Sequence, residues 1–342
     1  MKKIFLAATL LVVGLSAQPK VLLYYDMEGL SGINHWKMTS FGYPEYEQGR
    51  KFLTSDVNAA IAGLIDGGAK HIVVTDAHGS GNPEPDILLD QMDKRAVFEF
   101  RDSAFAPYTD MPNASYQAIV CIGMHAKANS NGFLAHTYTI EPAFNVNGTD
   151  FTETTIIAAS AARYGVPVIM VSGDQVLEKQ IKDQFPEVVY AVVKNARNRA
   201  ECDTIPQRVV QKSIYGAAKR AMQNLVRYTP FVLKNPLTFN MSFQNRAQAN
   251  RVFFYPGLNR VDDLTVSFPA ENFIDGYKQS LRLVSLSAPD RTGLLFQILN
   301  KHPQGKEILD QYQDLLHMRW LEPEKMPKQE SPPPRKRWHG AQ

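Results

Sequence analysis

Apolar runs of strand length alternate with amphipathic segments of helical length along the first half of the chain. The runs at 20–26, 69–75, 116–123 and 167–172 predict strands, and the segments at 46–66 and 152–164 predict helices. Strands that alternate with helices are typical of a mainly parallel sheet with helices on both faces. We therefore expect an α/β fold.

The pattern changes after about residue 225. Two predicted strands, 237–243 and 263–268, and a helix at 272–286 indicate a smaller C-terminal α/β lobe. The expected organisation is a signal peptide (1–17), a larger α/β domain (18–225), a smaller α/β lobe (226–289), a helical extension (290–321) and a disordered, proline-rich basic tail (322–342).

The N-terminus has the pattern of a secretory signal peptide. Met1-Lys2-Lys3 precedes an apolar stretch at 4–15 and the small residues Ser16 and Ala17. That stretch is shorter than the roughly 20 residues of a membrane-spanning helix. We expect cleavage near Ala17 and a periplasmic or secreted protein, with an uncleaved N-terminal anchor as the alternative.

Composition and charge argue against a nucleic-acid partner and against a cysteine-based zinc site, but they exclude few other functions. The net charge is +3 over 342 residues, and the basic residues form no stripe apart from a short cluster in the tail, so we expect no nucleic-acid partner. The two cysteines, Cys121 and Cys202, lack the paired spacing of a zinc site. A disulfide between them remains open, because sequence does not test its geometry.

Polar side chains follow three predicted strands at the points where the strands end. Asp26 and Glu28 come after the first strand, and side chains two residues apart in an extended segment share a face, while Met27 turns into the core. His78 and His125 follow two later strands. Ligands of open parallel sheets bind at the carboxyl ends of the strands, so we expect these four side chains to form a metal site.

Each candidate also has an ordinary structural interpretation. A single histidine at a strand end is more often hydrogen-bonded than metal-bound. Asp76 either orients an imidazole or caps its strand. Glu153 lies in the first turn of a predicted helix, where the helix dipole favours a carboxylate. His125 and His136 flank a polar loop, so both bind metal, or one binds metal while the other transfers protons.

Several short blocks resemble one known family in order and in spacing. They are Asp26-Met27-Glu28-Gly29, Asp76-Ala77-His78, Gly123-Met124-His125-Ala126, Ala135-His136, Val166-Pro167-Val168 and Ser172-Gly173-Asp174. Over about residues 21–286 the chain resembles the D-aminopeptidases encoded in bacterial dipeptide-transport operons. Thr152 stands where that family commonly has glycine, and the export signal and the residues after about 290 are additional to its pattern.

The resemblance implies a dinuclear zinc peptidase that removes N-terminal D-amino acids from short peptides. Its implied zinc ligands are Asp26, Glu28, His78, His125 and Glu153, and its implied catalytic residue is His136. Three carboxylates against two Zn²⁺ ions leave a small positive charge, whereas one ion would leave the cluster negative. Imidazole and carboxylate donors without a thiolate suit Zn²⁺ and also Mn²⁺ or Co²⁺.

We therefore expect a two-zinc aminopeptidase that acts on short peptides, of the D-Ala type by resemblance. A metal-dependent hydrolase of another amide or ester is one alternative, and a periplasmic peptide-binding protein without activity is another. After signal cleavage we expect no membrane association. The resemblance also implies a homo-oligomer, since the family archetype forms a ten-subunit pair of rings around an internal chamber.

Overall fold

Two β-sheets share a common core in this protein. The computed structural model describes residues 18–100, 107–138, 142–288 and 291–322, together with residue 324. The strands are β1 (Lys20–Tyr25), β2 (His71–Asp76), β3 (Val97–Phe98), β4 (Ala118–Ile122), β5 (Ala143–Val146), β6 (Thr149–Asp150), β7 (Val168–Asp174), β8 (Val189–Ala196), β9 (Cys202–Thr204), β10 (Leu237–Ser242), β11 (Asn259–Arg260) and β12 (Thr265–Ala270).

Helices cover both faces of the larger sheet and one side of the smaller sheet. They are α1 (Tyr46–Asp66), α2 (Pro107–Asp110), α3 (Glu153–Ala162), α4 (Gln175–Gln184), α5 (Gln207–Gln223), α6 (Arg246–Val252), α7 (Phe273–Ser287), α8 (Arg291–Leu299) and α9 (Gly305–Leu321), with 3-10 turns at Trp36–Thr39 and Leu225–Arg227.

The larger sheet has seven strands in the order β3-β2-β1-β4-β7-β8-β9. All neighbours pair in parallel except β8 and β9, which are antiparallel. The predicted fold class, a mainly parallel sheet flanked by helices, is confirmed. The apolar pattern did not predict β8, β9, α4 and α5, which complete this sheet and its helical cover.

Strand β1 lies in the middle of the sheet and divides its side chains between two cores. Leu23 and Tyr25 pack with α1 and α5 on one face, whereas Leu22 and Tyr24 pack on the other face with α3 and the smaller sheet. All four are fully buried. A strand with both faces covered needs apolar residues at every position, which is why the run reads as continuous rather than alternating.

The smaller sheet is antiparallel, in the order β11-β12-β10-β5-β6. Its hairpin β5–β6 comes from residues 143–150, which lie within the range predicted for the larger domain. In the chain, this hairpin of the smaller sheet comes after β4 of the larger sheet and directly before α3. The domain boundaries themselves remain a prediction.

The C-terminal region forms two further helices, α8 and α9, over the predicted extension. The predicted signal peptide and nearly all of the predicted basic tail lie outside the described residues. Among the described helices, none combines the length and the apolar character that a membrane span requires. Cys121 and Cys202 are both free thiols, so the open question of a disulfide is answered in the negative.

Candidate metal centre

The candidate site forms where β1, β2 and β4 end side by side. In the parallel register Tyr25 of β1 lies opposite Asp76 of β2 on one side and Ile122 of β4 on the other. The residues that follow these positions therefore leave the sheet at the same level. This register brings Asp26, Glu28, His78 and His125 to one edge of the sheet, as the sequence predicted.

Two glycines let the chain segments after β1 and β4 touch. A Cβ on Gly29 would lie 1.8 Å from the carbonyl oxygen of Met124, and a Cβ on Gly123 would lie 2.2 Å from that of Asp26. Gly123 also has φ +78°, in the left-handed region that favours glycine. The N–H of Gly29 donates to the carbonyl of Gly123 at 2.8 Å. Backbones at this distance bring Glu28 towards His125.

Asp26 and Glu28 both face the same imidazole nitrogen. His78 Nδ1 lies 3.0 Å from Asp26 Oδ1 and 3.2 Å from Glu28 Oε2. His78 Nε2 lies 2.8 Å from the carbonyl oxygen of Thr39, which can only accept, so Nε2 carries the proton. Nδ1 is therefore the nitrogen that faces the two carboxylates, and a metal bound between them would take the place of its proton.

His125 is oriented in the same way on the other side of Asp26. Its Nδ1 lies 3.0 Å from the carbonyl oxygen of Ala126 and donates to it. Its Nε2 lies 3.4 Å from Asp26 Oδ2 and 3.5 Å from Glu153 Oε2. A backbone carbonyl thus holds one nitrogen of each histidine, and the other nitrogen of each ring faces carboxylates.

Glu153 reaches the site from the start of α3. Thr152 caps this helix, with its side-chain oxygen accepting from the N–H of Thr155 at 3.1 Å. A threonine at the position where the resembling family commonly has glycine therefore has a local role as the cap. The hydroxyl of Tyr108 donates to Glu153 Oε2 at 2.7 Å, and the N–H of Tyr138 donates to Oε1 at 2.6 Å. Glu153 is thus a fixed group in the site.

His136 lies beside His125 on the pocket side. The two rings stack, with centroids 3.9 Å apart and planes 14° apart. His136 Nδ1 donates to the carbonyl oxygen of Leu134 at 2.8 Å, and Nε2 lies 3.9 Å from Glu153 Oε1. His136 is only partly buried, whereas the five predicted ligands are buried. Its position fits either a further ligand or a group that faces substrate.

Burial strongly couples these charges. Burial and the neighbouring Glu28 raise the pKa of Asp26 to about 8. Burial opposes ionisation of Glu153, but the nearby His125 outweighs it and lowers the pKa of Glu153 to about 2. Burial likewise opposes protonation of His125, but Glu153 raises its pKa to about 10. Three buried carboxylates around the same two histidines can all be ionised only with positive charge close by.

His136 differs from its neighbours in its protonation. Burial and repulsion from His125 lower its pKa below the ordinary histidine value. A neutral His136 with Nδ1–H bound to Leu134 keeps a lone pair on Nε2, directed into the pocket. Such a nitrogen can accept a proton from a neighbouring water or substrate group.

The donor atoms fit metal ions. Two overlapping groups have donor atoms that all lie within 4.8 Å of one another: Asp26, Glu28 and His125, and His125, His136 and Glu153. Among the described residues, Asp26 Oδ2, Glu28 Oε2 and His125 Nε2 are buried without a well-aligned hydrogen bond. Buried carboxylate oxygens and an imidazole nitrogen that face one another without a well-aligned hydrogen bond are what a bound cation would satisfy.

Other residues support the site, and among those described next only Asp76 was singled out by the sequence. Asp76 Oδ1 accepts from the backbone N–H of His78 at 2.7 Å, which supports the strand-capping interpretation. Lys194 on β8 is buried, and its Nζ donates to the carbonyl oxygens of Glu28 at 2.7 Å and Ile33 at 2.6 Å. Asp56 on α1 accepts from the N–H and the hydroxyl of Ser31. The bonds of Lys194 and Asp56 hold the loop that carries Glu28, and no short sequence motif indicates them.

Comparisons with known proteins agree with this geometry. The sequence model of the family Peptidase_M55, described as D-aminopeptidase, matches residues 20–281. A D-aminopeptidase of Bacillus subtilis (strain 168) is 25% identical over 278 residues, which cover 78% of this chain and 97% of that protein. A solved structure, the Zn-dependent D-aminopeptidase DppA from Bacillus subtilis, described as a self-compartmentalizing protease, superposes with a TM-score of 0.72, 25% identity and the same coverage.

Proposed function

The chain belongs to the D-aminopeptidase family, and on that premise we propose that it is a dinuclear zinc aminopeptidase that removes the N-terminal D-amino acid from short peptides. It is a metallopeptidase, as the family match and the zinc-dependent relative indicate. The number of ions, the stereochemistry and the substrate length are the proposed parts. The five proposed zinc ligands are Asp26, Glu28, His78, His125 and Glu153.

One observation carries this proposal: the two overlapping donor groups at the ends of β1 and β4, each with its donor atoms within 4.8 Å. Three buried carboxylates share this volume with two imidazoles, each of which directs one ring nitrogen at them. A single divalent ion leaves one negative charge in excess among the three carboxylates, whereas two ions leave a single positive charge. The charge balance therefore supports two ions.

The residues of the chain set up the reaction before any substrate arrives. Asp26 is placed to contact both halves of the site, because its Oδ1 faces His78 and its Oδ2 faces His125. Thr39 and Ala126 fix the two histidines through their carbonyl oxygens. Zinc, when bound, polarises the scissile carbonyl and lowers the pKa of a coordinated water. The fixed donors ensure that the ligands need no rearrangement for this step.

His136 is the proposed proton-transfer residue. Its neutral Nε2 can accept a proton in the pocket, and the same nitrogen can return it to the leaving amine. Leu134 holds the ring through Nδ1, so the acceptor nitrogen stays directed at the pocket. Stacking on His125 limits rotation of the ring further.

The test combines metal analysis with stereochemical comparison. Protein loaded with zinc is expected to hold two ions per chain and to cleave D-Ala-D-Ala faster than L-Ala-L-Ala. A chelator is expected to remove the activity, and added Zn²⁺ is expected to restore it. Loading with Mn²⁺ or Co²⁺ instead measures how strictly the site selects zinc.

Different outcomes contradict different parts of the proposal. One ion per chain at full activity would remove the dinuclear part, and equal rates on the two stereoisomers would remove the D-specific part. Turnover of other amides or esters in preference to peptides would favour the more general metal-dependent hydrolase. Tight peptide binding without turnover, indifferent to chelators, would favour a peptide-binding protein.

We further propose that the protein is exported and forms a homo-oligomer. The pattern of residues 1–17 supports export, and N-terminal sequencing of the mature protein from cell fractions tests it. The self-compartmentalizing description of the structural relative supports assembly. Light scattering on the purified full chain gives the subunit number, and a monomer at all concentrations would contradict the proposal.

A further inference from the structure

The pocket in front of the candidate metal centre carries two arginines on its walls. It has a volume of about 510 Å³, and its lining includes Asp26, Glu28, His78, His136 and Glu153 together with Arg199 and Arg291. This volume suits a small ligand such as a short peptide. Anionic donors thus line part of the pocket, and guanidinium groups line another part.

Neither arginine is occupied by an ion pair in the described part of the chain. The nearby Arg197 pairs outward with Asp203, and Arg246 and Arg260 both pair with Asp263. For Arg199 and Arg291, no described carboxylate lies within the 4.0 Å that defines such a pair. Both side chains are exposed, so their charge is available to a ligand that enters the pocket.

Arg199 is tied to the proposed proton-transfer residue through one residue. It lies in the loop between β8 and β9, and its carbonyl oxygen accepts from the N–H of Leu134 at 2.9 Å. The carbonyl oxygen of Leu134 in turn accepts from His136 Nδ1 at 2.8 Å. The position of the Arg199 backbone is therefore fixed relative to the ring of His136.

Arg291 reaches the same pocket from another part of the chain. It is the first residue of α8, in the C-terminal extension. The family match ends at residue 281, so this contribution to the pocket comes from outside the matched region. The extension therefore touches the site, although it lies beyond the part that the family shares.

Charge indicates which substrate group the arginines recognise. Two zinc ions and three carboxylates leave a small positive charge, and the arginines add two more positive charges on the substrate side. A peptide that presents its amino end to the metals has one fixed anion, its C-terminal carboxylate. Guanidinium groups bind carboxylates through paired N–H donors, with defined geometry.

We propose that Arg199 and Arg291 bind the C-terminal carboxylate of the peptide substrate. This proposal rests on the proposed aminopeptidase function. The two arginines then determine specificity. They favour peptides whose length matches the distance from the metals to the arginines, and they disfavour peptides whose carboxyl end is blocked. They take no part in the bond-breaking step itself.

The test compares D-Ala-D-Ala with its C-terminal amide on the zinc-loaded full chain. Arg199→Gln and Arg291→Gln are each expected to lower kcat/KM for the free acid by about 10- to 100-fold, chiefly through KM, since hydrogen bonds between charged groups are lost. The value for the amide is expected to stay unchanged. Arg208→Gln and Arg319→Gln, at exposed arginines outside the pocket lining, are the matched controls.

Zinc content and thermal unfolding of each variant show whether it is folded and loaded. An equal loss on acid and amide, or no loss on either, would overturn the proposal. If the wild-type enzyme cleaves neither peptide, the proposed function fails, and calorimetric binding of the same two peptides still tests the arginines. Tighter binding of the acid that disappears in both variants supports them, and equal binding of acid and amide overturns them.

Discussion

The pocket in front of the candidate metal centre and the C-terminal extension differ in which side chains they bury and which they expose. The pocket buries charged side chains, with Asp26 only 2% exposed, and binds most of them to backbone groups. The extension exposes large apolar side chains, with Leu294 at 59% and Trp320 at 76%. Apart from Arg291, the lining of the pocket lies within the family-matched region, whereas the extension lies outside that region and keeps much of its apolar surface exposed.

This difference indicates which changes each region tolerates. Removing one partner of a buried charge lowers the free energy of unfolding, because the group that stays buried keeps its full desolvation cost. Exposed apolar side chains have little burial to lose. Substitutions in the pocket are therefore expected to have larger effects than substitutions in the extension, except at Arg291, where the extension reaches the pocket.

The largest effect is expected at His136. His136→Ala should lower kcat by about 10²- to 10⁴-fold, because proton transfer by a positioned side chain contributes this much. Zinc content should stay unchanged, since the five predicted ligands remain. Steady-state kinetics and metal analysis on the same preparation measure both quantities.

His71→Ala is the matched control, because His71 is exposed at the start of β2. Loss of zinc together with activity in His136→Ala would make His136 a ligand. Near-normal turnover with full zinc would remove it from the reaction altogether.

A second effect is a pH dependence of stability that arises from Asp56 on α1. Burial raises the pKa of Asp56 to about 6 from its ordinary value of 3.8, against the lowering effect of its hydrogen bonds with Ser31. Between these two values the folded state binds more protons than the unfolded state. Stability from this group is therefore fully present below about pH 4 and is lost as the pH rises through about 6.

The loss amounts to about 3 kcal/mol, at about 1.4 kcal/mol for each unit of pKa difference. Urea unfolding of metal-free protein from pH 4 to pH 7 measures it, with Asp56→Asn as the variant that lacks this titration. The wild type should lose about 3 kcal/mol relative to this variant across the range. Asp90→Asn, at an exposed carboxylate, should run parallel to the wild type, and a flat difference for Asp56→Asn would contradict the assignment.

A smaller effect is expected at Tyr108, which contacts the proposed ligand Glu153. Tyr108→Phe removes the hydroxyl that donates to Glu153 Oε2 at 2.7 Å. Loss of such a supporting bond should weaken zinc binding by about 10- to 100-fold. Competition with a chromophoric chelator measures the affinity.

Tyr164→Phe is the control, since Tyr164 is 40% exposed on the surface and does not line the pocket. Unchanged zinc affinity in Tyr108→Phe would mean that the N–H of Tyr138 holds Glu153 sufficiently by itself.

The smallest effect is expected in the extension. The triple variant Leu294→Gln, Ile298→Gln and Trp320→Gln changes side chains that are already mostly exposed. The free energy of unfolding of the monomer should change by less than about 0.5 kcal/mol per site. Urea unfolding at low protein concentration measures it.

Ile61→Ala, in the core between α1 and the larger sheet, is the contrasting control and should cost about 2 to 5 kcal/mol. A loss of that size in the triple variant would mean that the extension packs as part of the core, and the contrast between the two regions would fail.

Much of the fold could be predicted because its signals are local. The continuous apolar run of β1 predicts a strand with both faces covered. The four-residue spacing of Leu53, Val57 and Ile61, close to one helical turn, predicts the buried face of α1. The regions around α4 and α5 gave no comparably clear pattern. Those helices pack as amphipathic covers, and their assignment depends on the sheet that they cover.

The residues of the candidate site also differ in how far the sequence could predict them. Asp26, Glu28, His78 and His125 could be proposed from their positions after predicted strands, whereas Glu153 and His136 needed the resemblance to a family for their roles. Tyr108 and Lys194 carry no motif, and they reach the site through contacts with residues distant in the sequence. No spacing rule covers such contacts.

The order of apolar and polar residues alone determined that strands end in carboxylates and imidazoles, since side-chain alternation and strand length are properties of a short segment. Only the tertiary structure decided that β1 lies between β2 and β4, that Gly29 and Gly123 bring two loops into contact, and that Arg291 reaches the pocket. The physical reason is that distances between segments depend on strand register and on steric contact between backbones, and neither is a property of a single segment.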